Sequence, residues 1–345
     1  MGAVPAKLRE FVRAVLVRTP VRELFVRRRA HRYLTVVAYH RVHPPVGPDY
    51  PFNAGVIEAT PEQFARQIRY LRSHLDLISM DDFLSGLQDP ARLPPRPGLV
   101  TFDDGYRDNY EIALPLLREA GVRACFFLIT RLIGTTQVPW PDQVACCLNY
   151  SRTARVKSPF GPDDPPYEAG PRRPTGFLVR FLRNAKQASY MRLQEILAAL
   201  RETTRVNPDD HVDSPLMLSW DQVRQMKAQG MTVGGHTRTH PPLAGVDDPT
   251  LLREEIRGCY DDILQHTGTP PQAFAYPFGT PVTMSEPAKA EVASAGFQAA
   301  FSFLNTFAPR PPAGNRWLIP RLYLARQSSF AAFRIALACG DRPMQ

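Results

Sequence analysis

Short apolar runs alternate with amphipathic segments along most of this 345-residue chain, and that alternation constrains its fold more than any other feature. The runs fall at 33–40, 98–102, 124–129, 231–234, 273–276, 298–302 and 318–324. Runs of this length bounded by Pro and Gly read as buried strands. Between them lie helical patterns at 61–75, 108–120, 220–229, 249–266 and 286–295. Thr60 and Ser219 stand at cap positions, and Gly230 and Gly296 stand at stops. Strand–helix alternation implies a parallel sheet with crossover helices, and about seven such units close into a (β/α) barrel. Residues 131–218 interrupt the rhythm with a Pro/Gly-rich loop at 158–175 and a helix over 188–201, so they read as an insertion. With no internal repeat, the expected organisation is an extension at 1–32 and one catalytic domain over 33–345 carrying that insertion.

Charge is concentrated at one end. Residues 1–32 hold nine Lys and Arg side chains against Glu10 and Glu23, a balance of +7 within a chain whose net charge is +9. Leu8, Phe11, Val12, Val15 and Leu16 recur between the arginines at roughly helical spacing. A basic amphipathic helix of this kind suits an anionic membrane surface, and equally an ordinary solvated helix packed on the domain. Nucleic acid fits less well, because no recognised binding motif accompanies the charge. No apolar run approaches the length of about 18 residues that a transmembrane helix requires. Five cysteines without C-x-x-C spacing and the lack of a secretory pattern set the expected location. It is the cytoplasm, with residues 1–32 as the one segment suited to the inner membrane surface.

The chemistry-bearing residues collect at strand ends. Asp103 and Asp104 sit where the run 98–102 stops before Gly105. The pair can be read as a helix cap, or as carboxylates held for a partner, since a buried carboxylate needs a charge or a metal beside it. The run from Met231 ends in Gly234-Gly235-His236-Thr237-Arg238-Thr239-His240-Pro241. Histidines four apart reach one metal if the local backbone is helical. One carboxylate of the Asp pair with His236 and His240 makes a two-His, one-carboxylate set that leaves positions open for water and substrate. The second carboxylate is then free to act as a base, and metal plus base is what hydrolysis of an unreactive amide needs. Phe274-Ala275-Tyr276-Pro277-Phe278-Gly279 ends another run. Its peptide N–H groups either face the site as oxyanion donors or only terminate a packed strand.

Thr101-Phe102-Asp103-Asp104-Gly105, His236-Thr237-Arg238-Thr239-His240 and Tyr276-Pro277-Phe278-Gly279, in that order, resemble the polysaccharide deacetylase family. This is the NodB-homology group, carbohydrate esterase family 4, and the resemblance covers roughly residues 33–325. It implies a distorted (β/α)7-type barrel and metal-dependent removal of N-acetyl groups from amino sugars. By that resemblance Asp103 is the general base, and Asp104, His236 and His240 bind zinc or another divalent ion. The backbone N–H of Phe278 then helps hold the oxyanion. Two departures stand out. The third motif lacks its arginine, and no histidine follows His266 to supply the late Leu-x-His acid. Tyr39-His40 looks like the N-terminal Tyr-His of the permuted branch of the family, which makes His40 the expected acid. Arg321, on the last run, is placed to replace the missing arginine beside Asp103.

The expected substrate is an N-acetylated oligosaccharide, polysaccharide or glycolipid precursor. Two other readings are a non-sugar C–N hydrolase of the same fold, similar to imidase and allantoinase types, and a carbohydrate-binding homologue without turnover.

Overall fold

The computed structural model describes residues 21–339 apart from 162, 171–174, 213, 310–314 and 324–328. The extension's residues 1–20 and the C-terminal end of the run 318–324 therefore lie outside the described residues. Seven parallel strands form the barrel: β1 Tyr33–Tyr39, β2 Pro97–Phe102, β3 Ala124–Leu128, β4 Thr232–Gly235, β5 Ala273–Ala275, β6 Ala299–Ser302 and β7 Ile319–Pro320. Each pairs with the next in chain order. The ring closes just after β7. There Leu322 accepts from the Ala38 N–H at 2.9 Å and donates to the Val36 carbonyl at 2.7 Å. Lower on β1, Tyr33 and Leu34 pair antiparallel with Pro309 and Ala308 instead. This wall is built from two unlike pieces, which is the distortion of the barrel.

Both faces of the strands are buried, so their sequences read as continuous apolar runs instead of alternating ones. Leu34, Val36, Leu99, Cys125, Phe127, Ala275 and Phe301 fill the barrel interior. Their neighbours Val37, Val100, Phe102, Phe126 and Val233 meet the surrounding helices. Gly234 and Gly235 are needed where β4 crowds its neighbours. A Cβ on Gly234 would lie 2.6 Å from the Ala273 carbonyl oxygen, and one on Gly235 2.8 Å from the Phe297 ring. Helix Pro61–His74 starts at a Thr60–Gln63 capping box, as the sequence suggests.

The expected regular helix over 108–120 is instead a π-helical turn, Asn109–Ala113, followed by an α-helix, Leu114–Glu119. Pro115 has no N–H to donate, so an unbroken α ladder cannot pass through it. The insertion forms helices Trp140–Tyr150, Thr175–Ala185 and Tyr190–Thr204 around a core of its own that includes Trp140, Val144, Phe181, Leu193 and Leu197. The described part of the extension is one helix, Val21–Arg32, which buries Val26 and Ala30 against the domain. No helix among the described residues is long and apolar enough to cross a membrane.

Candidate active site

Every residue singled out in the sequence lies just beyond the C-terminal end of a barrel strand, the rim where parallel barrels carry their chemistry. His40 follows β1, Asp103 and Asp104 follow β2, His236 and His240 follow β4, Phe278 follows β5 and Arg321 follows β7. The backbone at this rim is strained. Asp104, Thr237, His240, Phe278 and Asn305 all have φ between +51° and +73°, a region that non-glycine residues enter only when their surroundings hold them there. Asp104 is therefore not a helix cap. The helical geometry expected for the histidine pair is also absent. His236 to His240 form a loop, tied by the His240 N–H donating to Thr237 Oγ1 at 2.9 Å. The left-handed turns at Thr237 and His240, not a helix, bring the two imidazoles together.

Asp104 Oδ1 lies 3.4 Å from both His236 Nε2 and His240 Nε2, and the ligand atoms of the three buried residues lie within 4.8 Å of one another. His236 Nδ1 meets the Ala275 carbonyl at 2.7 Å. A carbonyl only accepts, so the proton is on Nδ1 and Nε2 offers its lone pair. Burial outweighs the attraction of Asp104 and pushes the His240 pKa down to about 3, which leaves a neutral imidazole. Burial alone would raise the Asp104 pKa, but the imidazoles around it prevail and hold it well below the usual carboxylate range. Asp104 Oδ1 is nonetheless a buried oxygen without a hydrogen-bond partner among the described residues. Two imidazole nitrogens and one orphaned carboxylate oxygen are a donor set that suits a divalent transition metal. A tetrahedral ion with bonds of about 2.1 Å spaces its ligand atoms by about 3.4 Å. The residues fit a divalent metal.

Beside this triad, Asp103 is gripped by Arg321, whose two terminal nitrogens donate to Oδ1 at 2.6 Å and Oδ2 at 2.7 Å. Arg321 is fully buried, donates also to Thr101 Oγ1 and the Ser302 carbonyl, and lies against the Phe127 and Phe303 rings. Burial tends to raise the Asp103 pKa, but the Arg321 charge prevails and the net direction is downward.

Across the mouth, His40 Nδ1 meets Glu58 Oε1 at 2.8 Å, while Glu58 Oε2 accepts the backbone N–H groups of His40 and Arg41. Burial works against the imidazolium, yet Glu58 dominates and raises the His40 pKa to about 9. Sequence reading missed Glu58. The available signal was a lone acid between Ile57 and Ala59 in an otherwise apolar stretch. Glu58→Gln should bring His40 down to the ordinary histidine range or below. An NMR titration of the His40 ring should then show its midpoint move from near pH 9 toward neutrality. A raised folded-state pKa also means that the pair stabilises the fold fully below about pH 6.5 and is lost as pH rises through about 9. Thermal unfolding across that window should show the loss in the wild type and not in the variant.

The Phe278 ring stands edge-on to His240, with centroids 4.6 Å apart, and no hydrogen bond among the described residues takes its N–H. The insertion reaches the same place. Trp140 Nε1 donates to the His240 carbonyl at 2.9 Å, and Lys186 lies over the Phe278 ring at 4.1 Å. Behind the histidine loop, buried Glu255 accepts from the Arg238 and Thr239 N–H groups and from Thr239 Oγ1, and Arg238 forks onto Asp262. Glu255→Ala should loosen the loop and weaken divalent-metal binding at the triad about 10–100-fold, read by competition with a chelating dye.

A parallel seven-stranded barrel thus carries at its mouth this donor set, a carboxylate–arginine pair and a histidine–carboxylate pair. The chain belongs to the polysaccharide deacetylase family, whose profile matches residues 92–155 and 181–300, more than half its length. It is 31% identical over 78 residues to the poly-β-1,6-N-acetyl-D-glucosamine N-deacetylase of Staphylococcus epidermidis, covering 22% of this chain and 27% of that protein. Over 36 residues it is 53% identical to YxkH of Bacillus subtilis, covering 10% of this chain and 13% of that one. The matched stretches thus span less than a third of either relative. The Streptococcus pyogenes deacetylase PplD shares the fold at a TM-score of 0.57 and 16% identity, covering 86% of this chain and 94% of that one. IcaB from Ammonifex degensii shares it at 0.56 and 20%, covering 89% and 97%.

Proposed function

We propose that the protein is a zinc-dependent hydrolase that removes N-acetyl groups from the amino sugars of a polysaccharide. The observation that carries this reading is the convergence of Asp104 Oδ1, His236 Nε2 and His240 Nε2 within 4.8 Å beside the Arg321-bound Asp103. Those three residues would hold a zinc ion, which would supply Lewis acidity at the site. Asp103 takes the proton that the water gives up as its oxygen bonds to the carbonyl carbon. Arg321 keeps Asp103 ionised and aimed. As the C–N bond breaks, His40 delivers its Nε2 proton to the leaving nitrogen, and Glu58 stabilises the imidazolium until then. The Phe278 N–H donates to the developing oxyanion. Acetate and a sugar amine leave.

The stretch shared with the staphylococcal deacetylase supports a β-linked N-acetylglucosamine polymer as the substrate class. Assaying acetate release from N-acetylglucosamine oligomers alongside ring opening of cyclic imides tests the assignment. Acetate release without imide opening is the expected result. Imide opening alone would move the protein to the non-sugar C–N hydrolases.

A further inference from the structure

Helix Val21–Arg32 runs directly into β1, so its last turn lies at the rim formed by the strand N-termini, opposite the barrel mouth. Helix Pro61–His74 ends at the same rim. It leads through Leu75 into Asp76 and Leu77, which pair with Pro97 and Gly98 at the start of β2. The two helices touch each other and bury Val26, Ala30, Phe64, Ile68 and Leu71 in one core. Their outward faces are basic. Arg27, Arg28, His31 and Arg32 are exposed on the first helix, and Arg66, Arg69 and Arg72 on the second. No ion pair among the described residues engages any of these six arginines. Among the described side chains of the two helices the only carboxylate is Glu62, at the mouth end of its helix, where it accepts from Thr60 Oγ1.

Six exposed arginines without an ion pair on adjoining helices make a positive patch of the kind that attracts polyanions. None of the described side chains of this face is an exposed aromatic platform for stacking bases. Phe330 lies under Arg66, and the large exposed apolar side chains among the described residues, Tyr150, Val179, Met191, Leu264 and Val282, are all on other elements. Contact here is electrostatic and shallow, which suits lipid headgroups better than a nucleic acid read through its bases.

We propose that this arginine face docks the protein on an anionic phospholipid surface with the barrel mouth turned away from it. The seven residues of β1, at about 3.3 Å each, set the mouth roughly 20 Å beyond that rim. A sugar fixed to a headgroup in the same leaflet is then out of reach, and a polymer segment extending from the surface is within it. This consequence for the substrate rests on the deacetylase reading of the mouth. The docking does not.

The test is flotation of the full chain with phosphatidylcholine vesicles, with and without about 30% phosphatidylglycerol. The wild type is compared with a variant carrying Arg27→Gln, Arg28→Gln, Arg32→Gln, Arg69→Gln and Arg72→Gln. The wild type should float only with the anionic vesicles and release as salt shortens the screening length. The variant should bind at least tenfold more weakly, with unchanged circular dichroism. Should the five changes impair folding, the Arg27/Arg28 and Arg69/Arg72 pairs altered separately should each weaken binding. Equal flotation with neutral vesicles, undiminished binding by the folded variants, or displacement by stoichiometric RNA would overturn the proposal. Orientation is read with a fluorophore at His31→Cys or Val282→Cys and headgroup-spin-labelled lipid. Quenching at position 31 and not at 282 is expected, and the reverse would refute the orientation.

Discussion

Replacing Asp103 by Asn should lower kcat by about 10³-fold while zinc still binds at one equivalent. The variant keeps the size of the side chain and leaves Asp104, His236 and His240 untouched, but it removes the carboxylate that Arg321 holds in place to take a proton beside them. It also leaves Arg321 buried without its counter-ion, and breaking such a pair costs about 3–5 kcal/mol. Lower thermal stability should therefore accompany the lost activity, and the comparison belongs well below the variant's unfolding midpoint. Arg321→Lys separates the two effects. Lysine keeps the charge but not the fork, so its hold on Asp103 weakens. Because Arg321 depresses the Asp103 pKa, the stability it confers is present above the ordinary carboxylate range and is lost as pH falls through the depressed value. In the lysine variant that loss begins at higher pH, and the acid limb of kcat/KM moves up with it. An unchanged pH–rate profile and turnover would remove Arg321 from the mechanism as a positioning residue.

The second large effect is at the metal. Asp104→Ala should abolish zinc binding and reduce acetate release by at least about 10³-fold. Its effect on stability is less obvious. Asp104 Oδ1 is a buried oxygen without a hydrogen-bond partner among the described residues, yet its removal costs the apo fold the attraction of the imidazoles and puts alanine at a φ of +73°. The wild type should gain stability as zinc rises, by about 4 kcal/mol at a thousandfold excess over Kd. Asp104→Ala should gain none. Calorimetry with and without zinc reads this difference directly, independent of any substrate. A zinc-dependent rise in the variant equal to that of the wild type would place the ion elsewhere.

Much of the fold was legible because a parallel barrel writes itself into sequence as buried runs cut by Pro and Gly. Pro97 and Gly105 bracket β2, and Thr60, Ser219, Gly230 and Gly296 mark helix ends near where they fall. His40 stood out as the polar residue ending an apolar run, and Arg321 as the one charged residue within the run 318–324. Arg321 and Asp103 are 218 positions apart, and only the closure of β7 onto β1 brings them within hydrogen-bonding distance.

Other features left no such mark. The left-handed turns at Thr237 and His240 carry no glycine to announce them, so the histidine pair read as helical. Glu58 sits on a short strand whose pairing with Arg41 and Val42 no periodicity reveals. Glu255 looks like any acid on the helix Pro249–Thr267 until the histidine loop is seen folded over it. Trp140 and Lys186 belong to an insertion that the sequence marked only as an interruption, although its side chains wall the site.

If one ion at Asp104, His236 and His240 turns this mouth into a deacetylase, acetate release from N-acetylglucosamine oligomers should follow zinc titrated into chelator-stripped protein. No release is expected without zinc, then a linear rise and a plateau at one equivalent of bound zinc. Full acetate release before any zinc is added, or a filled site that releases none, would refute that role.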